Sequence, residues 1–280
     1  MSKQKRILTI QDYSCLGRCS LTVAQPTISA CGIECVGIPT AILSNHTQFE
    51  SWTFVDLTDE LEKTVKKWEK YNHSFDCIYT GYLSTSQIPI VKGIINKLKD
   101  DNTLIFIDPA MADNGKLYTG FTPEHVTKMK ELFNGADFVK PNVTEACLLT
   151  DTMYDPKSRD INYYYELANK LLKLGAKNVI LTGPRISDDK IAVVISNKDG
   201  NRVMEFNYLD VSFHGTGDLF SSCLCSLLTL GFNIDRAITL AHYYVVNAIK
   251  ATIDDGLDGL LYGPEFEKAI PILLEEINKR

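Results

Sequence analysis

Apolar and polar positions alternate along this chain in blocks of two kinds. Short apolar runs at 6–10, 76–80, 104–107 and 178–181 read as strands buried on both faces, and the β-compatible stretch 34–42 reads as another. Between them lie longer segments whose apolar residues recur every three or four positions. These predict helices over 20–31, 58–71, 86–99, 123–133, 163–174, 217–230, 234–253 and 264–278. Thr58-Asp59 opens one of them, and Gly32, Gly175 and Gly231 stand just beyond three others as stop signals. Residues 137–139 form a short strand ending in Pro141-Asn142. The runs 191–196 and 203–208 flank Asp199-Gly200, which predicts a hairpin with antiparallel pairing.

Repeated strand–helix alternation predicts an α/β fold, a mostly parallel central sheet with helices on both faces. No linker-like stretch divides the 280 residues, so one domain over 1–280 is expected. In such sheets ligands bind beyond the carboxyl ends of the strands. Asp12, Thr80-Gly81-Tyr82, Asp108, Asn142 and Thr182 each follow a predicted strand, which points to one site.

Charge and composition narrow the function. The net charge is −6, from 29 Lys+Arg against 35 Asp+Glu, and no basic block is long enough to track a phosphate backbone. Nucleic acid is therefore not an expected partner. The first ten residues lack the apolar length of a signal peptide, and no apolar run reaches a membrane span, so a cytoplasmic protein without membrane contact is expected. The eight cysteines form no paired C-x-x-C arrangement, and they read as reduced, packed thiols. The sequons at Asn45, Asn72 and Asn142 are read as incidental.

The sharpest chemical segment is His214-Gly215-Thr216-Gly217-Asp218-Leu219-Phe220, which lies ahead of an apolar helix. Two glycines let successive backbone N–H groups converge, and a helix N-terminus adds partial positive charge. Together these make a cradle for a phosphoryl group, with Asp218 at its mouth as a candidate proton acceptor. Read alone, the segment also fits a plain loop with a helix cap. It is neither a Walker A loop nor G-x-G-x-x-G, and the missing dinucleotide fingerprint counts against a nicotinamide-dependent oxidoreductase. Asp108, Asp113 and Glu145 are carboxylates of the kind that hold Mg²⁺ near phosphates, and each also fits a turn or a helix start.

Taken in order, Ser44-Asn45-His46-Thr47, Thr80-Gly81-Tyr82, Asp108-Pro109 with Asp113, Asn114 to Tyr118, Pro141-Asn142 with Glu145, and Gly215 to Asp218 resemble the pyridoxal/pyridoxamine kinase branch of the ribokinase-like superfamily. The resemblance runs from the first strand to the last helices. It implies ATP-dependent phosphorylation of the hydroxymethyl group of a B6 vitamer. It implies Asp218 as base, with Gly215, Thr216 and Gly217 as anion hole. Asp108, Asn142 and Glu145 would organise ATP and Mg²⁺, with Asp113 nearby, Thr182 on the nucleotide side, and Gly215 and Gly217 touching the phosphates. Thr47, Gln48 and Tyr82 would line the ring pocket, with Asp12, Cys19 and His46 beside it. His46 is equally a structural histidine holding the turn after Ser44. A homodimer is implied, and the identity of any monovalent cation is left open.

Two departures bear on the substrate. Relatives often carry Ser where this chain has Asp12, and a carboxylate only accepts hydrogen bonds. Asp12 would favour a ring N–H or a ring amino group, which admits hydroxymethylpyrimidine as the alternative substrate. Lys140 replaces a common Thr, and it reads either as a phosphate contact or as a solvated strand end. A non-catalytic protein that binds a B6 vitamer is the reading from a different class.

Overall fold

The computed structural model describes residues 4–71 and 73–279; the sequon at Asn72 lies outside them. In chain order the elements are β1 (Arg6–Leu16), α1 (Ser20–Ala30), β2 (Glu34–Asn45), β3 (Phe54–Asp56), α2 (Thr58–Trp68), β4 (Cys77–Thr80), α3 (Gln87–Leu98), β5 (Leu104–Ile107), β6 (Ala112–Asp113), β7 (Lys116–Leu117), α4 (Pro123–Phe133), β8 (Phe138–Val139), α5 (Val143–Leu149), α6 (Ile161–Leu172), β9 (Asn178–Arg185), β10 (Lys190–Asn197), β11 (Gly200–Asn207), α7 (Thr216–Thr229), α8 (Ile234–Asp254), α9 (Gly259–Tyr262) and α10 (Phe266–Asn278). Among the described residues, no helix is long and apolar enough to cross a membrane.

The chain forms two compact units. The first takes in the described residues up to Gly81, Ile94–Thr103 and those from Val211 onward; the second is Tyr82–Gly93 with Leu104–Asp210.

In the first unit the strand order is β4-β1-β2-β3. β1 runs parallel to both β2 and β4, and β3 adds an antiparallel edge. All four residues of β4 and residues 7–10 of β1 are buried, which is why these strands read as mostly apolar runs, and burial continues through the polar Gln11 and Asp12. β1 does not stop at Ile10 as its apolar run suggested. Gln11 pairs with Pro39 and Tyr13 with Ile42, so two residues of β2 stand opposite Asp12, and pairing then continues to Leu16 and Asn45. This is a β-bulge, and it lets polar residues sit inside a strand where the pattern indicated its end. Thr40, in the bulge, instead accepts a hydrogen bond from the Leu57 amide at 3.0 Å.

α7 is buried from Leu219 to Thr229 although it carries several hydroxyls. Ser222, Ser226 and Thr229 satisfy theirs on carbonyls one turn back: Asp218 at 2.6 Å, Ser222 at 2.7 Å and Cys225 at 2.7 Å. α9 falls in the gap between two predicted helices. It is a single turn begun by Asp258, whose carboxylate accepts the Leu260 and Leu261 amides.

In the second unit β5, β8 and β9 are parallel, and β10 and β11 continue the sheet antiparallel. The hairpin expected at Asp199-Gly200 forms there, closed by Asn197 opposite Gly200. β9 runs on through Thr182-Gly183-Pro184 because β10 still pairs with it at Arg185. Thr182 therefore lies within a strand rather than after one. α6 begins two residues earlier than its apolar period suggested, since Asp160 caps it at the Asn162 amide. β6 and β7 make a two-residue hairpin in which Asn114 and Gly115 both have positive φ, as Asn-Gly favours.

Candidate active site

The first unit holds the phosphoryl cradle. Gly215 is the N-cap of α7 with φ 78° and ψ −1°, a left-handed conformation that suits glycine. A Cβ at this position would collide with the Arg18 carbonyl oxygen, so glycine is required sterically as well. The Thr216 hydroxyl braces the turn on the Phe213 carbonyl at 3.1 Å. Gly217 is exposed, and Asp218 lies half-buried in the first turn of α7. The Asp218 Oδ2 accepts the Ser20 amide at 2.9 Å, which fixes the carboxylate from the opposite chain segment.

Asp12 lies at the bulge between β1 and β2 and is only 5% exposed. It is not a solvent-facing turn residue. Its Oδ2 accepts the Ser14 hydroxyl at 2.9 Å. Burial pushes the Asp12 carboxyl above its ordinary range, and hydrogen bonds from the Ser20 and Ser14 hydroxyls partly oppose this. Cys19 is the N-cap of α1 and shares a capping box with Thr22. Burial, with the Asp12 and Asp218 charges, pushes its thiol well up. Cys19 is thus a packed, protonated thiol beside both acids.

His46 is buried, and both its ring nitrogens are engaged. The Nδ1 accepts the Gln48 amide at 3.3 Å, so Nε2 carries the proton and donates it to the Leu261 carbonyl at 2.7 Å. Of the two roles open to His46, these bonds describe a structural clamp between the turn after β2 and α9. Thr47 and Gln48 extend from that turn and are exposed. The α9 segment also ties down the cradle: Arg18 donates to the Tyr262 carbonyl at 3.0 Å and His214 to the Gly259 carbonyl at 3.2 Å.

The second unit holds an acidic cluster. Asp108, at the end of β5, and Lys140, at the end of β8, form an ion pair at 2.8 Å with side chains 3% and 6% exposed. Lys140 is therefore not a solvated strand end. Glu145 is equally buried. Its Oε1 accepts the Met111 amide and its Oε2 the Asn142 amide, each at 2.9 Å. Asn142 returns the bond, its Oδ1 accepting the Glu145 amide at 2.9 Å, so the pair is also the capping box of α5. Burial and the nearby Asp108 charge push the Glu145 carboxyl well above the ordinary range, against the pull of Lys140. Asp108 is balanced by Lys140, and Glu145 is held toward its neutral form, so a cation bound beside it would have to draw off that proton.

Asp113 is exposed, and its carboxylate accepts the Asn114 amide at 2.8 Å within the hairpin turn. No group of three or more His, Cys, Asp or Glu among the described residues is arranged to hold a metal. Asp108 and Glu145 are the two buried carboxylates here that could hold a hard cation. Thr182 lies beside Asn142 through an isolated parallel bridge, its amide on the Pro141 carbonyl at 3.0 Å. Tyr82 is half-buried and stacks on Phe121, centroids 5.2 Å apart.

Sequence reasoning missed Ser14, Ser20 and the partner of Lys140. Ser14 had a signal, since it follows Asp12 at the two-residue spacing that shares a strand face. Ser20 had none, because a serine gives no hint of a left-handed backbone.

A family model described as phosphomethylpyrimidine kinase matches residues 26–259 of the chain. A pyridoxal kinase of Dictyostelium discoideum is 28% identical, with 85% of this chain and 81% of that one covered. Among solved structures, a Bacteroides thetaiotaomicron protein provisionally named a phosphomethylpyrimidine kinase, in a crystal form with pyridoxal, is 38% identical with TM-score 0.91, covering 97% of this chain and 96% of that one. A pyridoxal kinase of Lactobacillus plantarum is 25% identical with TM-score 0.89, covering 98% of each chain. The mostly parallel α/β fold with helices on both faces, ribokinase-like, is shared with these structures.

Proposed function

The chain belongs to the phosphomethylpyrimidine kinase family, and on that premise we propose that it is an ATP-dependent kinase of B6 vitamers. It transfers the γ-phosphoryl group to the 5′-hydroxymethyl oxygen of pyridoxal, pyridoxamine or pyridoxine. The observation that carries this reading is Asp218. Its carboxylate is held at 2.9 Å by the Ser20 amide, one turn into a helix whose N-cap is the left-handed Gly215. A fixed acceptor at a helix N-terminus suits removal of a hydroxyl proton next to a developing phosphoryl charge.

Asp218 takes the proton of the substrate hydroxyl. Gly215, Thr216 and Gly217 receive the transferring phosphoryl oxygens on their amides. Asp12, Cys19, Thr47, Gln48 and Tyr82 serve the ring, and His46 holds the turn that carries Thr47 and Gln48. Asn142 and Thr182 serve the nucleotide. Asp108 and Glu145 are the residues that would hold Mg²⁺, which neutralises phosphate charge when bound. In this reading Asp113, turned to Asn114, is not a direct ligand. Residues 1–280 act as one kinase domain, in a cytoplasmic homodimer.

The buried Asp12 carboxyl favours a second substrate, hydroxymethylpyrimidine, whose ring amino group would donate to it. A coupled ADP-release assay with Mg-ATP and each of the four rings decides. Turnover on the pyridines upholds the proposal. Turnover on the pyrimidine alone replaces it, and Asp12→Ser is then expected to lower pyrimidine turnover more than pyridine turnover. Folded protein that consumes no ATP with any ring would return the chain to a non-catalytic binding role.

A further inference from the structure

A lysine ordinarily buries its stem and keeps its ammonium in water. Lys140 does the reverse of this, ending in a buried ion pair with the Asp108 Oδ2 at 2.8 Å. The backbone sets the meeting. β5 and β8 are parallel with Ile107 level with Val139, and the Lys140 amide donates to the Ile107 carbonyl at 2.9 Å. Asp108 and Lys140 therefore leave the sheet side by side. The Asp108 Oδ1 accepts the Ala110 amide at 3.3 Å, and the Glu145 oxygens accept the Met111 and Asn142 amides. Each of these four carboxylate oxygens thus takes an N–H of the protein, and the Lys140 ammonium is the donor among them that carries a full charge. Threonine, the common alternative at position 140, would set a neutral hydroxyl beside the Asp108 carboxylate. Such an oxygen pair suits a free hard cation. With lysine in place, a free Na⁺ or K⁺ does not fit: it would have to settle against a fixed charge of its own sign.

We propose that Lys140 is a built-in substitute for a monovalent cation: its tethered ammonium fills the place beside Asp108, so the protein needs no free Na⁺ or K⁺ there. The ammonium supplies the same unit charge and is held at that place by its own chain, whatever the salt outside. The consequence for turnover rests on the B6-kinase reading; the consequence for stability rests on the ion pair alone.

The test compares potassium, sodium and choline chloride at one ionic strength, with Mg-ATP supplied free of alkali metal. The parent should unfold at the same temperature in all three, and its turnover with the preferred ring should agree within about twofold, because nothing binds by mass action. Lys140→Thr removes the tether and supplies the hydroxyl. In choline it should be less stable than the parent, and K⁺ or Na⁺ should raise its unfolding temperature in a saturable way and its turnover by roughly tenfold or more. A parent whose unfolding temperature or turnover rises saturably with K⁺ or Na⁺ overturns the proposal, and so does a folded Lys140→Thr that is indifferent to the cation. Should that variant not fold, the parent comparison decides alone. A parent that turns over no ring in any salt overturns the kinase reading instead, and its unfolding temperatures still decide whether Lys140 fills the cation's place.

Discussion

His46 lies face to face with His214, the ring centroids 3.8 Å apart and the planes 26° from parallel. The stack joins the turn after β2 to the residue that precedes the phosphoryl cradle. It is a stack of neutral rings. Burial, and then the neighbouring His46, push the His214 imidazole down to about 4.

The sign of the pH response follows from that depression. Between the ordinary value of 6.5 and about 4 the folded protein binds fewer protons at His214 than the unfolded chain does. The stability it contributes is complete above that window and is lost as pH falls through it. His214→Phe retains a stacking ring and removes the titration. Its urea-unfolding free energy should decline less between pH 7 and pH 5 than that of the parent.

Asp218→Asn should fold, bind ATP and bind the ring, yet lose about 10²–10⁴-fold in kcat. The measurement is steady-state turnover alongside calorimetric affinity for each ligand. Near-parental kcat would remove Asp218 from the role of base.

Gly215→Ala meets both a left-handed backbone and the Arg18 carbonyl. Gly231→Ala meets a left-handed backbone, φ 84°, with open space around the Cβ. The second variant should lose roughly 1–2 kcal/mol from strain alone. The first should lose more, and its turnover should collapse, because the collision forces the cradle itself to move. Chemical denaturation of the two variants in parallel separates strain from collision.

Lys140→Met leaves Asp108 buried without its counter-charge. A loss of about 3–5 kcal/mol in unfolding free energy at pH 7 is expected. Lys140→Met/Asp108→Asn should recover much of it. A single variant as stable as the parent would mean that water already reaches the pair.

The cradle was legible in the sequence because glycine spacing and a following apolar helix are local signals. The acidic cluster was legible only residue by residue. Asp108 and Glu145 were marked by their strand-end positions, but nothing local showed that Lys140 would be buried against Asp108. Asp12 was noted as a departure and placed just past the end of the first strand rather than inside it, since Gln11-Asp12 interrupts an apolar run in the way a loop does. Its burial comes from β2, whose extra residue is visible only once the two strands are paired. The full length of β9, which puts Thr182 inside the strand, was missed for a similar reason. Gly183-Pro184 looks like a break, and pairing with β10 overrides it.

That extra residue in β2 acts like an inserted letter in a reading frame. Past the bulge, exposed Tyr13 sits level with exposed Ile42, and buried Ser14 with buried Leu43. Removing one residue at 40–41 would leave a single residue opposite Asp12 and keep Tyr13 against Ile42 and Ser14 against Leu43, so the later positions of the two strands would still agree. A one-residue deletion there would therefore take out the bulge and spare the register. What it would change is the local bend beside Asp12, not the face that the end of β2 presents.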